Sequence, residues 1–174
     1  MEQEVTVLDR IKATVKTIGA DKVNISGEDL HGEDLSNFEL SKVDLSRANL
    51  KNAIMVKIDL SEATLEWTNL QEANLNEANL SKARLYSANL HKAKLENCNL
   101  SDAYLGKVDL RDAQLINADL SNAKLNYADL RGTNLEGSKM KGIDLRWSRY
   151  NHKTIWPAEN FDPTLTGAIL YERE

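Results

Sequence analysis

A large apolar residue returns at every fifth position along most of this chain, and that period suits neither regular backbone conformation. From Leu30 to Leu145 there are 24 such positions; 22 are leucine and the other two are Met55 and Met140. A helix repeats its faces every 3.6 residues and a strand every 2.0. A helix would therefore scatter these leucines around its circumference, and a strand would send alternate ones to opposite faces. What remains is a chain that turns once per five residues and always returns its leucine to the inside. Such a chain must coil, and its coils must stack so that backbone N–H and C=O groups find partners.

The neighbouring positions are constrained as well. Two residues before each leucine, Ala fills 13 of 24 positions, as at Ala48, Ala73, Ala78 and Ala118. Two large inward side chains per unit would overfill the interior, so the second must be small. Immediately before the leucine, Asp or Asn fills 15 of 24, as at Asn49, Asn79 and Asp119. With only 8 Gly and 2 Pro in 174 residues, other residues must turn the chain, and Asp and Asn side chains bond nearby backbone at turns. The unit is A-(D/N)-L-x-x.

A second period sets the size of a coil. Ser41, Ser61, Ser81, Ser101 and Ser121 recur every 20 residues, and positions 29, 49, 69, 89, 109 and 129 are all Asp or Asn. Four units per coil predict a four-sided tube. Six coils at the inter-strand spacing give a rod about 29 Å long. Burial of each leucine contributes roughly 1.5–3 kcal/mol before conformational entropy is set against it.

Over about residues 25–150 the tandem units resemble the pentapeptide-repeat family. The resemblance implies a right-handed quadrilateral β-helix with a leucine ladder and a small-residue ladder inside. The segments Thr154-Ile155-Trp156-Pro157, Phe161-Asp162-Pro163 and Gly167-Ala168-Ile169 are similar to tails that follow the repeats in bacterial, notably cyanobacterial, members. The expected fold is thus an all-β solenoid, a right-handed quadrilateral β-helix of about six coils, with a short N-terminal helical cap and a C-terminal apolar cap. Residues 1–24 form the first cap, with a helix at about 5–18 presenting Leu8, Ile11, Val15 and Ile18 on one face and ending at Gly19. Residues 25–150 form the β-helix and 151–174 the tail, where Trp156, Phe161, Leu165, Ile169 and Leu170 gather, with a short helix near 163–171. A solenoid end exposes core and strand edges, so each cap is also a candidate seam for a homodimer. Glu28 and Glu33 occupy small inward positions, so the first coil is distorted or bonds to the cap.

Composition narrows the function. Twenty-two Lys and Arg against 27 Asp and Glu argue against direct nucleic-acid binding. No apolar run is long enough to span a membrane, and the acidic start Met1-Glu2-Gln3-Glu4 is not a secretory leader, so a cytoplasmic location is expected. One cysteine, Cys98, falls on an inward position. His31, His91 and His152 lie on one side, three coils apart, too far for a shared metal. No catalytic, cofactor-binding or metal-binding residues are assigned, and no small-molecule substrate or cofactor is expected.

The unbroken register assigns every outward residue to a side. The side centred on Leu45, Leu65, Leu85, Leu105, Leu125 and Leu145 alone carries outward aromatics within the repeats: Trp67, Tyr86, Tyr104, Tyr127 and Trp147. It also carries Arg47, Arg84, Lys107, Lys124 and Arg146 against Asp44, Glu66 and Asp144. Aromatics and Arg on one exposed face are the composition of a protein interface. Trp67, Arg84, Tyr86, Tyr104, Lys107, Lys124, Tyr127, Arg146 and Trp147 are the candidate partner-binding residues of a scaffold with an unknown protein partner. A smaller patch of Ile54, Val56 and Ile116 lies on the opposite side. The resemblance supplies the alternative: some family members mimic duplex DNA and bind a type II topoisomerase such as gyrase.

Overall fold

The structure, a computed structural model, describes residues 6–172. Parallel backbone bridges join residues 20 apart. Asn24, Asp44, Thr64, Arg84, Tyr104, Lys124 and Asp144 form one column, and three further columns start from Asp29, Asp34 and Glu39. These four columns are the sides of the tube. Each side offers one bridging residue per coil rather than a strand. Among the described residues only β1 (Arg149–Tyr150) and β2 (Ile169–Leu170), which pair in parallel, are longer. The reason is geometric: a five-residue unit that contains a tight turn has no room for an extended strand.

The turn itself is uniform. At Leu45-Ser46-Arg47-Ala48 the Ala48 N–H donates to the Leu45 carbonyl at 3.0 Å, and Arg47 is left-handed with φ +60°. This is the type II pattern, in which the third residue takes positive φ. All 25 turns from Gly27 to Trp147 repeat it, and at 20 of them the left-handed residue is not glycine. That conformation costs a residue with a Cβ about 1–2 kcal/mol. The Asp or Asn before most of the leucines helps to offset it. Asp44 Oδ1 accepts the Ser46 N–H at 2.9 Å, Asp59 the Ser61 N–H at 3.0 Å and Asn99 the Ser101 N–H at 3.0 Å. The same side chains link coils: Asn49 Nδ2 donates to Asp29 Oδ1 at 2.8 Å and Asn69 Nδ2 to Asn49 Oδ1 at 3.1 Å.

Inside, the repeat leucines from Leu30 to Leu135 and Leu145 are wholly buried, with the alanine column beside them. Inward threonines bury their hydroxyls by donating to carbonyls of the preceding coil, as Thr68 does to Leu45 at 2.9 Å. Cys98 is buried as a small core residue, and burial pushes its thiol up to about 12.

At the N-terminal end, helix α1 (Val7–Ile18) adds Leu8 and Ile11 to the core. Thr6 and Asp9 close it with a reciprocal capping box, and Gly19 ends it at φ +87°. The expected start at residue 5 lies outside the described residues. The first coil uses its oversized inward positions to meet this helix. Glu28 reaches Arg10 at 4.0 Å, and the Phe38 ring lies 5.6 Å below the Lys12 ammonium.

The ladder does not stop at residue 150. One extra residue enters the next coil, so that Asn134 bridges Ile155, and β2 then stacks on β1 at the usual interval of 20. Tyr150, Trp156 and Phe161 pack ring against ring at 5.3 and 5.2 Å at this end. Where a short helix over 163–171 is expected, the chain makes a single 3-10 turn, Pro163–Thr166, ended by left-handed Gly167. Ile169–Leu170 finds an open strand edge to pair with, which a helix would forgo.

Two outcomes follow. Leu90→Ala, at a fully buried position, lowers unfolding free energy by about 2–5 kcal/mol in urea titration. Stability also falls in acid. Burial works against the Asp109 carboxylate, but hydrogen bonds and charge from Arg111 outweigh it and lower its pKa. Ser121 lowers that of Asp119, and Arg146 that of Asp144. Their stabilisation is complete above the ordinary value of 3.8 and is lost as pH falls through the lowered values. Asp109→Asn, Asp119→Asn and Asp144→Asn combined should lose less stability than wild type between pH 7 and pH 3.

Candidate protein-interaction face

Turn geometry decides how the aromatic side presents itself. Trp67, Lys107, Tyr127 and Trp147 are third residues of their turns, left-handed at φ +57° to +64°. That conformation aims each side chain away from the tube along one corner. Trp67, Tyr127 and Trp147 are 55–59% exposed, as is Tyr104 at 56%. Bulky residues at positive φ are outliers that call for an explanation beyond local folding. Among the 25 left-handed turn residues, the three aromatic ones all fall on this corner.

Tyr86 differs from the other four. It is half-buried and lies over Gly106 of the next coil: a Cβ on Gly106 would stand 3.1 Å from Tyr86 Cδ2. The missing side chain is the seat for the ring. Trp67 meets Tyr86 edge-on at 6.1 Å, and the Lys107 ammonium lies 5.5 Å from the Tyr86 ring centre. Tyr86 raises the Lys107 pKa, first by hydrogen bonding and then by charge. Trp67, Tyr86 and Lys107 are therefore one packed group spanning three coils.

The remaining candidates are ordered along the same side. Arg84, Tyr104 and Lys124 are successive rungs of one bridge column. Arg84 grips Glu66 through Nε and Nη2 at 3.0 and 2.7 Å. Arg146 chelates Asp144 at 2.9 and 2.7 Å, and these bonds hold the Asp144 carboxyl below its usual range. Tyr127 stands in the corner row between Lys107 and Trp147, one coil from each.

One residue of this region escapes a repeat-based reading. Leu165, on the Pro163–Thr166 turn, is 85% exposed and shares a hollow with Lys124, Asp144 and Arg146. The sequence marks it as apolar tail, which suggests end packing; the turn instead sets it beside the aromatic face. The other candidate groups stay dispersed. His91 stands 3.4 Å from Asp112, while His31 and His152 are exposed on the same side of the tube. Ile54 is exposed, and Val56 and Ile116 are half-buried.

Known proteins place the fold. The family described as pentapeptide repeats (8 copies) matches residues 29–66, 65–102 and 103–142. Among solved structures, a pentapeptide repeat protein (Rfr23) from the cyanobacterium Cyanothece 51142 is 30% identical. The match covers 86% of this chain and 99% of that one, with a TM-score of 0.51. HetL, a pentapeptide repeat protein involved in heterocyst differentiation regulation from the cyanobacterium Nostoc sp. strain PCC 7120, is 32% identical over 72% of this chain and 73% of its own, at a TM-score of 0.31. QnrB1, a plasmid-mediated fluoroquinolone resistance protein, is 15% identical over 86% of this chain and 92% of its own, at 0.40. No curated protein matches the sequence. The fold of the matching family is a right-handed quadrilateral β-helix, which accounts for the four bridge columns and the 20-residue coil. With most of its length matched by the repeat and its ladder built from that repeat, the chain belongs to the pentapeptide-repeat family.

Proposed function

We propose that this chain is a non-enzymatic interaction module that presents a rigid aromatic and basic face to a protein partner. The observation that carries this reading is the placement of Trp67, Tyr127 and Trp147: exposed, left-handed and confined to one corner. The fold does not need them. The same turn position is filled by Asn at Asn37, Asn52, Asn97, Asn117 and Asn122, a residue that tolerates positive φ. Large aromatics there expose apolar area at a conformational cost, which suits binding rather than stability. Mimicry of duplex DNA requires a strongly negative rod. The most acidic side here carries two cations, Lys57 and Lys94, against four carboxylates, Asp34, Glu77, Glu96 and Glu136.

Two measurements test the reading. In affinity capture from the source cell's lysate, Trp67→Ser/Tyr127→Ser/Trp147→Ser should lose proteins that wild type retains; an identical set from both would overturn it. In thermal unfolding, Tyr127→Asn/Trp147→Asn should be at least as stable as wild type, with a gain of up to about 1 kcal/mol per site from relief of the left-handed strain. A clear loss of stability would mean that these rings serve the fold.

A further inference from the structure

The charge on the four sides points to the kind of partner this face fits, an inference that rests on the reading just given. The aromatic side carries five cations and three carboxylates, and two of those carboxylates, Glu66 and Asp144, are already bound by Arg84 and Arg146. Among the described residues, Arg47, Lys107 and Lys124 have no carboxylate within 4.0 Å. The opposite side, centred on Leu35, Met55, Leu75, Leu95, Leu115 and Leu135, has the reverse imbalance, two cations to four carboxylates. The sides between them are close to balance. A protein of net charge −5 thus has a charge dipole across its tube, with the positive end on its exposed aromatics.

We infer that the face docks an acidic segment of a partner protein. Lys107 and Lys124 stand on neighbouring coils, which are about 4.8 Å apart. Among the described residues neither is paired with a carboxylate, so both add to the positive field of this side. Opposite charge across an interface speeds encounter and fixes orientation, while like charge on the far side turns the same partner away. The aromatics supply the apolar anchors: Trp67 and Tyr86 are held by each other and by the seat at Gly106, and Tyr127, Trp147 and Leu165 continue the strip toward the C-terminal end. The corner of a tube is convex and cannot enclose a ligand. A flexible acidic segment with interspersed apolar residues meets both demands, because it can lie along the ridge.

The test uses the full chain and three fluorescent probes of equal length: a Glu/Leu peptide, a Lys/Leu peptide and oligo-dT. Anisotropy should show the Glu/Leu peptide binding roughly tenfold more tightly than either of the others, and weakening as salt rises. Lys107→Glu/Lys124→Glu should abolish that preference, whereas Lys57→Glu/Lys94→Glu on the opposite side should leave it intact. Binding of no probe, equal binding of all three, preference for oligo-dT, or indifference to Lys107→Glu/Lys124→Glu each overturns the inference. Lysate capture separates its failure from that of the wider reading. If Trp67→Ser/Tyr127→Ser/Trp147→Ser loses the captured proteins while Lys107→Glu/Lys124→Glu keeps them, the face is an interaction site without acid preference. If neither variant changes capture, both readings fail.

Discussion

Everything in this protein depends on closing a tight turn every five residues, for the most part without glycine. A left-handed third residue other than Gly, Asn or Asp is unfavourable by about 1–2 kcal/mol, and the chain accepts one at 13 turns. No single turn could persist alone under that penalty. What holds each one is a set of bonds that exist only together: the turn bond from the Ala48 N–H to the Leu45 carbonyl, the bond from the Ser46 N–H to the Asp44 carboxylate, and backbone bonds to the coils above and below, such as the Leu45 N–H to the Thr64 carbonyl at 2.8 Å. The repeat unit follows from these needs. Asp or Asn accepts the turn N–H, Leu fills the tube, and Ala leaves it room. Stability accordingly resides in the stack of coils rather than in any one of them.

The side-chain ladder has a direction, and the choice between Asp and Asn follows it. In two columns Asn49, Asn69, Asn79, Asn89 and Asn99 donate Nδ2 to the residue one coil toward the N-terminus while their own oxygens accept a turn N–H. The lowest residue of such a ladder need only accept, and there the chain places Asp29 and Asp59. Farther up, Asp109 and Asp129 have no amide to donate, and arginines two residues on, Arg111 and Arg131, chelate them. An acid in the column therefore ends a run of amides or brings its own cation.

The repeat register made much of this legible in the sequence. It located the inward leucines and alanines, the four sides, the turn role of Asp and Asn, and the side on which Trp67, Tyr86, Tyr104, Tyr127 and Trp147 fall. It could not show that Lys, Glu and Trp sit at positive φ, because no local preference of those residues points there; the stack imposes it. Nor could it show Tyr86 lying on Gly106, since the two are 20 residues apart and Gly106 reads as one more variable corner. The tail was harder still. Past Tyr150 one inserted residue breaks the count, and Leu165 and Ile169, both apolar tail by pattern, part company: one stands in solvent and the other pairs into the ladder.

Such a backbone leaves little to vary except what points outward. Inward positions are fixed by volume, and where Asp or Asn precedes the leucine that position is set by hydrogen bonding, so two or three positions per unit remain free. Along one corner those positions form a straight row whose spacing the coil sets. The chain uses this freedom unevenly. Serine repeats five times along one side, while the next corner around the tube gathers Trp67, Tyr86, Tyr127 and Trp147 with Lys107 and Arg146. The serine row could change little without loss of small half-buried side chains, whereas the aromatic row departs from the residues that this turn favours. A departure from the least strained choice, repeated on one corner and matched by a local reversal of charge, is what sets one side of a rod with a uniform backbone apart from the other three.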